Sequence, residues 1–431
     1  MHPVRRSLLL LLLLVAACAR TQARIVEPAP DAGFASLVER LSEASGFFPS
    51  DNLVSNETSY LHVLGRMAEL GVTGGAYVGV GPDQNFSYIA AVRPDIAFII
   101  DIRRDNLLHQ LLYKAIFAQA GTRIDFLCLM TSRPCPEDLR SWQDADIVDI
   151  VRYLDGMTQD TAVFEATVAK VRTAALATGI ALSAADLVSI RRIQDRFRWD
   201  GLDIRYAAVP RYPAWRELIL ETDLEGVRLN FLASEERFQF VKEMERRNRI
   251  VPVVGDLGGS HALAAIGAEV AARGLTIRAF YVSNVEQYLM RGPAFGTFSQ
   301  TVTHLPFDER SVIIRSYFGR TGSLAQSVPG HYSTQLLERF TDFVRETHAG
   351  GYRSYFDLVT RNTLPLGAVR REPATRGLTH AVGRASFVGG EHCPGRMPGD
   401  QSTGVRGTWD KLTRSFFRAH EWGGGFLPMY R

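Results

Sequence analysis

Gly79, Gly81 and Asp101 have the types and spacing that a ligand site on a parallel sheet needs. The segment from 74 to 104 reads GGAYVGVGPDQNFSYIAAVRPDIAFIIDIRR. The apolar run 76–80 ends in a turn bearing Gly79 and Gly81. An Ala-rich segment (86–92) follows, and a second apolar run (96–100) ends in Asp101. Glycine lets a backbone turn tightly and approach a ligand. An acid roughly 20 residues past such a turn can accept hydrogen bonds from a ribose. The turn lacks the third glycine of a dinucleotide fingerprint, Gln84 standing there, and it lacks the Lys-Ser/Thr of a phosphate-binding loop. That pattern suits S-adenosylmethionine, an adenosine ligand without phosphate. Asn85 in the turn and Arg103 beside the acid complete the expected cofactor contacts. The alternatives are a ligand-free tight turn, and an Asp101 that caps a helix or pairs with an arginine.

Other polar groups fall at strand ends, where α/β sheets hold ligands. Asp256 lies in Val-Val-Gly-Asp-Leu-Gly-Gly and is a further cofactor contact, or the head of an Asx turn. Ser283, Asn284, Glu286 and Tyr288 follow the run Phe-Tyr-Val at 280–282. Ser283 and Asn284 are candidates for substrate binding, and Glu286 (as a base) and Tyr288 for catalysis. A helix start, with Ser283 and Glu286 as a capping box, explains the same residues. Asn56 and Glu57, in a polar loop ahead of the first strand, are candidates to close over substrate. The ten histidines are scattered. No metal site, Ser-His-Asp order or paired-carboxylate motif is expected.

The elements that must position these groups follow from periodicity. Continuous apolar strands at 76–80, 96–100, 250–255, 276–282 and 311–317 alternate with helical patterns. They imply an α/β, doubly wound, Rossmann-like sheet. Residues 124–130 read as a further strand, 136–248 as a helical insertion or lid, and 334–348 and 352–361 as helices. Residues 366–431 form a Gly/Arg-rich tail without periodicity, expected to be disordered.

Arg5 and Arg6 precede a leucine run and then Val15-Ala16-Ala17-Cys18. This reads as a signal peptide (1–17) with a bacterial lipobox, making Cys18 the lipidated residue, followed by a tether and short helix to residue 46. The protein is then expected in the bacterial envelope, touching membrane through its anchor alone. The alternatives are an ordinary signal peptide cleaved nearby, and a misplaced start codon, which would make the protein cytoplasmic. Of four cysteines, Cys128 and Cys135 are close enough in sequence for a small disulfide loop. The chain has 431 residues, 46% hydrophobic and 22% charged, with net charge +3. So mild a charge argues against nucleic acid as a partner and leaves a small-molecule ligand.

Residues 48–60, 74–94, 96–106, 251–259 and 280–289 together resemble an uncharacterised bacterial (lipo)protein family. Its sequences look like divergent class I S-adenosylmethionine-dependent methyltransferases. The resemblance spans about residues 47–366 and implies a class I methyltransferase fold, with Gly79–Gly81 as the glycine turn and Asp101 as the ribose acid. The chain departs from the methyltransferase pattern in having Ala76-Tyr77-Val78, with no acid, ahead of the turn. It also lacks an Asn/Asp-Pro-Pro-Tyr motif. The alternative function is a non-enzymatic envelope lipoprotein whose Rossmann-like core binds a ligand or partner.

Overall fold

Five runs of β-branched and aromatic residues form parallel strands because both faces of each are buried. They are β1 (Ala76–Val80), β2 (Ile96–Asp101), β3 (Ile250–Val254), β4 (Ile277–Ser283) and β5 (Val312–Tyr317). The computed structural model describes residues 32–206, 212–319 and 324–367. Within them a sixth strand, β6 (Thr334–Arg339), closes a sheet of order β3-β2-β1-β4-β5-β6. β6 runs antiparallel to β5, pairing Val312 with Arg339 and Tyr317 with Thr334. Pro252 sits in β3, an edge strand, where a missing N–H is tolerated. The architecture is therefore α/β with a mostly parallel sheet, compatible with a Rossmann-like fold.

The helices, in chain order, begin with α1 (Ala32–Leu41) and α2 (Leu64–Glu69) ahead of the sheet. α3 (Gln84–Val92) connects β1 to β2. Between β2 and β3 come α4 (Arg104–Gln119), α5 (Arg123–Thr131), α6 (Ile147–Asp155), α7 (Thr161–Ala177), α8 (Ala184–Asp200), α9 (Trp215–Leu220) and α10 (Glu235–Arg246). α11 (Ala262–Ala272) leads into β4, and α12 (Val285–Leu289) and α13 (Ala294–Thr303) follow it. α14 (Phe340–His348) and α15 (Tyr355–Thr360) come after β6. Local chemistry starts several of them. The Asp146 and Asp160 side chains accept backbone N–H groups of α6 and α7, and Ser183 forms a reciprocal box with Asp186 at α8.

Two expectations are corrected. Residues 124–130 are helix α5, not a strand: Thr122 caps it by accepting from the Asp125 N–H. Residues 334–339 are β6, and the helix expected from 334 starts only at Phe340. Cys128 and Cys135 are free thiols. The expectations for Cys18, the leader and residues 368–431 lie outside the described residues. Among the described residues no helix is long and apolar enough to cross a membrane.

Candidate functional site

The chain from Ser42 to Ser59 is a strap across the carboxyl end of the sheet, tied to successive strands. Glu43 N donates to Val254 O of β3 (2.9 Å), and Gly46 N to Ile102 O just past β2 (2.8 Å). Arg103 Nη1 donates to the Ser50 and Asp51 carbonyls (2.7 and 2.8 Å). Beyond the sheet's centre, Ser59 Oγ meets Ser333 Oγ at the start of β6 (3.0 Å).

Glu57 is the strap's buried carboxylate, 1% exposed. One carboxylate oxygen accepts from Tyr281 Oη (2.8 Å) and Ser283 Oγ (2.5 Å) of β4. The other accepts from Gln84 Nε2 of α3 (2.8 Å) and Gln335 Nε2 of β6 (3.2 Å). A buried carboxylate is tolerable only when its lone pairs are filled in this way. Burial, reinforced by Glu57, pushes the phenols of Tyr88 and Tyr281 well above their ordinary range, so both remain neutral donors. Strand order reverses between β1 and β4, the place where open α/β sheets carry ligands, and Glu57 occupies it.

The glycine turn is held from inside. A Cβ on Gly79 would run into Asn85 Oδ1 and lie 2.5 Å from Tyr77 Oη. Glycine there makes room for the Tyr77 Oη to Asn85 Oδ1 bond (2.8 Å). Asn85 Nδ2 then donates to the Val80 and Pro82 carbonyls (2.9 and 2.8 Å), so this side chain shapes the turn. Gly81 has φ +84°, a left-handed conformation that favours glycine. Asp83, next in the turn, is buried. One oxygen accepts from Trp215 Nε1 (2.7 Å), and the other has no hydrogen-bond partner. Burial raises its pKa to about 6.

Asp101 and Arg103 face each other. Asp101 Oδ1 accepts from Arg103 N and Nε (2.9 and 3.1 Å), and Oδ2 from Nη2 (3.0 Å). Arg103 thus latches the strap to the end of β2. Asp256 forms an Asx turn, accepting from Gly258 N (2.8 Å), and its own N–H donates to Glu43 (2.7 Å). Asn56 is half-buried in the strap. Ser283 adopts φ +52° where β4 bends away from register with β5, aiming its hydroxyl at Glu57. Asn284 Nδ2 reaches Gln287 Oε1 (3.5 Å). Glu286 is fully buried and bound by Arg315 Nε (2.5 Å) and Nη2 (3.1 Å). Arg315 Nη1 also holds Glu338 (2.5 Å), which Tyr352 Oη contacts (2.7 Å). Tyr288 is 38% exposed, edge-on to Phe48 at 5.4 Å.

A cleft of about 600 Å³ opens beside this latch, between the strap and the first turns of α4, with α8 as its far wall. Phe47, Phe48 and Asp51 line one side, Asn106 and His109 another, and Arg192 the third. Three arginines border it, each met by a carboxylate: Arg103 by Asp101, Arg104 by Asp186 (2.9 Å) and Arg192 by Asp105 (2.9 Å). The Arg104 contact lowers Asp186 to about 2. Burial, then the Arg103 charge, lowers His109 to about 3, so it stays neutral. Both amide atoms of Asn106 and the Nε2 of His109 are buried without hydrogen-bond partners.

A family model, a domain of unknown function (DUF7790), matches residues 53–141 and 202–367, more than half of the chain. The chain belongs to that family. No curated protein matches it. The matched segments carry Glu57, the glycine turn, Asp101, Asp256 and Ser283. α8, which supplies the cleft's far wall, falls between them.

Sequence reasoning brought Glu57 and Ser283 forward separately, and the structure joins them. It missed Asp83, Asn106 and His109. Asn106 and His109 lie three apart on α4, a spacing that puts both on one helix face. Nothing in their types marked them as unpaired. It also missed His62, Glu221 and His331. Among the described residues these form the set of potential metal-ligating side chains that come together.

Proposed function

We propose that this protein binds a small adenosine-type ligand, S-adenosylmethionine or a relative of it, at the carboxyl end of β1 and β2. It would do so as a methyltransferase-like protein on a doubly wound, class I plan. The observation that carries this reading is the cleft beyond Asp101, with Asn106, His109 and the Phe47–Asp51 segment on its walls. The volume is in the range of small-molecule sites. Paired arginines leave the cleft near charge balance, which favours a zwitterionic ligand over a polyphosphate. Phe47 and Phe48 offer faces for a base, and Asp101 Oδ2 accepts from Arg103 Nη2 and keeps capacity for a ribose hydroxyl.

A second reading, a non-enzymatic lipoprotein anchored through Cys18 in the bacterial envelope, gains support from Glu286. The residue with the chemistry of a base is sealed in an ion pair with Arg315. Calorimetric titration of the purified full chain with S-adenosylmethionine and S-adenosylhomocysteine separates the two. Micromolar binding that Asp101→Ala weakens at least ~10-fold supports the first reading. Failure of a folded chain to bind either ligand removes it and leaves the second.

A further inference from the structure

We propose that His62, Glu221 and His331 form a binding site for a divalent transition-metal ion of the zinc class. The three residues come from distant parts of the chain. His62 lies in the turn before α2, Glu221 directly follows α9, and His331 precedes β6. One potential ligand atom from each lies within 4.8 Å of the other two. The imidazole rings of His62 and His331 meet edge-on, centroids 4.5 Å apart.

The contacts within the cluster are those of groups lacking a common partner. His331 Nδ1 is buried with no hydrogen bond. Glu221 Oε2 stands 3.9 Å from it, beyond hydrogen-bonding distance. Glu221 Oε1 accepts from Thr222 N (2.8 Å), which turns Oε2 toward the histidines. Zinc bound tetrahedrally at ~2.0–2.2 Å from nitrogen and oxygen needs its ligands ~3.3 Å apart. Small side-chain rotations close that gap.

The backbone around the three residues is already fixed. Tyr332 N donates to Thr58 Oγ1 (3.0 Å), and Ser59 and Ser333 are hydrogen-bonded, so the segments bearing His62 and His331 are stitched together. Tyr60 Oη donates to Leu218 O (2.8 Å), tying the same turn to the end of α9. Two imidazoles and one carboxylate favour zinc-like ions over calcium or magnesium, which prefer all-oxygen sets. Three protein ligands leave a coordination position open. The side chains of His331 and Glu221 are 19% and 21% exposed, so water or a ligand can reach it. All three residues lie in the segments matched by the family model.

The test uses the full chain, stripped with chelator and titrated calorimetrically with zinc sulfate. His331→Ala and Glu221→Gln are compared, with His304→Ala as a control on the exposed end of α13. Loss of a direct ligand should cost more than the ~10–100-fold typical of losing a partner behind one. The site predicts zinc binding weakened at least ~100-fold in His331→Ala, clearly weakened in Glu221→Gln and unchanged in His304→Ala. A cobalt-loaded wild-type chain should show visible d–d bands without a thiolate charge-transfer band. No binding by folded wild-type chain, affinity indifferent to both substitutions, or a thiolate band would each overturn the assignment. The cobalt spectrum decides the matter even if a variant fails to fold.

Discussion

Asp83→Asn should stabilise this protein progressively as pH rises through the mildly acidic range. Asp83 is fully buried in the glycine turn, its carboxylate accepting from Trp215 Nε1. Burial raises its pKa from 3.8 to about 6. Between those values the folded chain keeps a proton that the unfolded chain has released. Stability therefore falls as pH climbs from about 4 to about 6, and the cost is constant above that. At ~1.4 kcal/mol per pH unit the full cost is ~3 kcal/mol. Asparagine keeps an oxygen for Trp215 and does not ionise. Its amide donors meet the unpartnered side of Asp83, adding a constant penalty of ~1–3 kcal/mol. The difference between variant and wild type, from urea unfolding at a series of pH values, cancels His109 and every other shared titration. It should shift in favour of the variant by up to ~3 kcal/mol between about pH 4 and pH 7. A difference that stays flat, or moves against the variant as pH rises, would refute the argument from burial.

Three further outcomes follow from the packing. Arg315→Met leaves Glu286 and Glu338 buried without their shared cation and should cost ~3–5 kcal/mol by urea unfolding; a loss below ~1 kcal/mol would mean that the carboxylates reach solvent. Gly79→Ala drives a methyl into Asn85 and Tyr77 and should cost ~1–3 kcal/mol. Less of that cost should remain in an Asn85→Ala background, and simple additivity would contradict the proposed clash. Glu57→Ala removes the strap's buried, hydrogen-bonded anchor, so amide hydrogen exchange over residues 50–58 should accelerate while β1 and β2 stay protected. Unchanged exchange would show that Arg103 and Ser59 hold the strap unaided.

The parallel strands were legible because each is a continuous apolar run, as burial on both faces demands. β6 was not. Its sequence, TQLLER, places Gln335 and Glu338 inside the protein, where Glu57 and Arg315 compensate them. No local pattern reveals compensation by residues so distant. Residues 124–130 misled for the opposite reason: a short apolar run fits a buried helix as well as a strand, and Thr122 caps the helix. At the site, the alternatives of an arginine partner for Asp101 and an Asx turn at Asp256 were readable because the partners are adjacent in sequence. Glu57 could be named as a loop acid. Its role as the hub joining α3, β4 and β6 depends on strand order, which periodicity does not carry.

If the cleft beside Asp101 receives an adenosine-type ligand, that ligand should be visible bound there. A crystal structure of the full chain grown with S-adenosylhomocysteine tests it most directly. Ligand density is expected between Phe47–Asp51 and the start of α4, with a ribose hydroxyl on Asp101. Crystals grown at saturating ligand with that cleft free of it, or with the ligand bound elsewhere, would rule out this binding site.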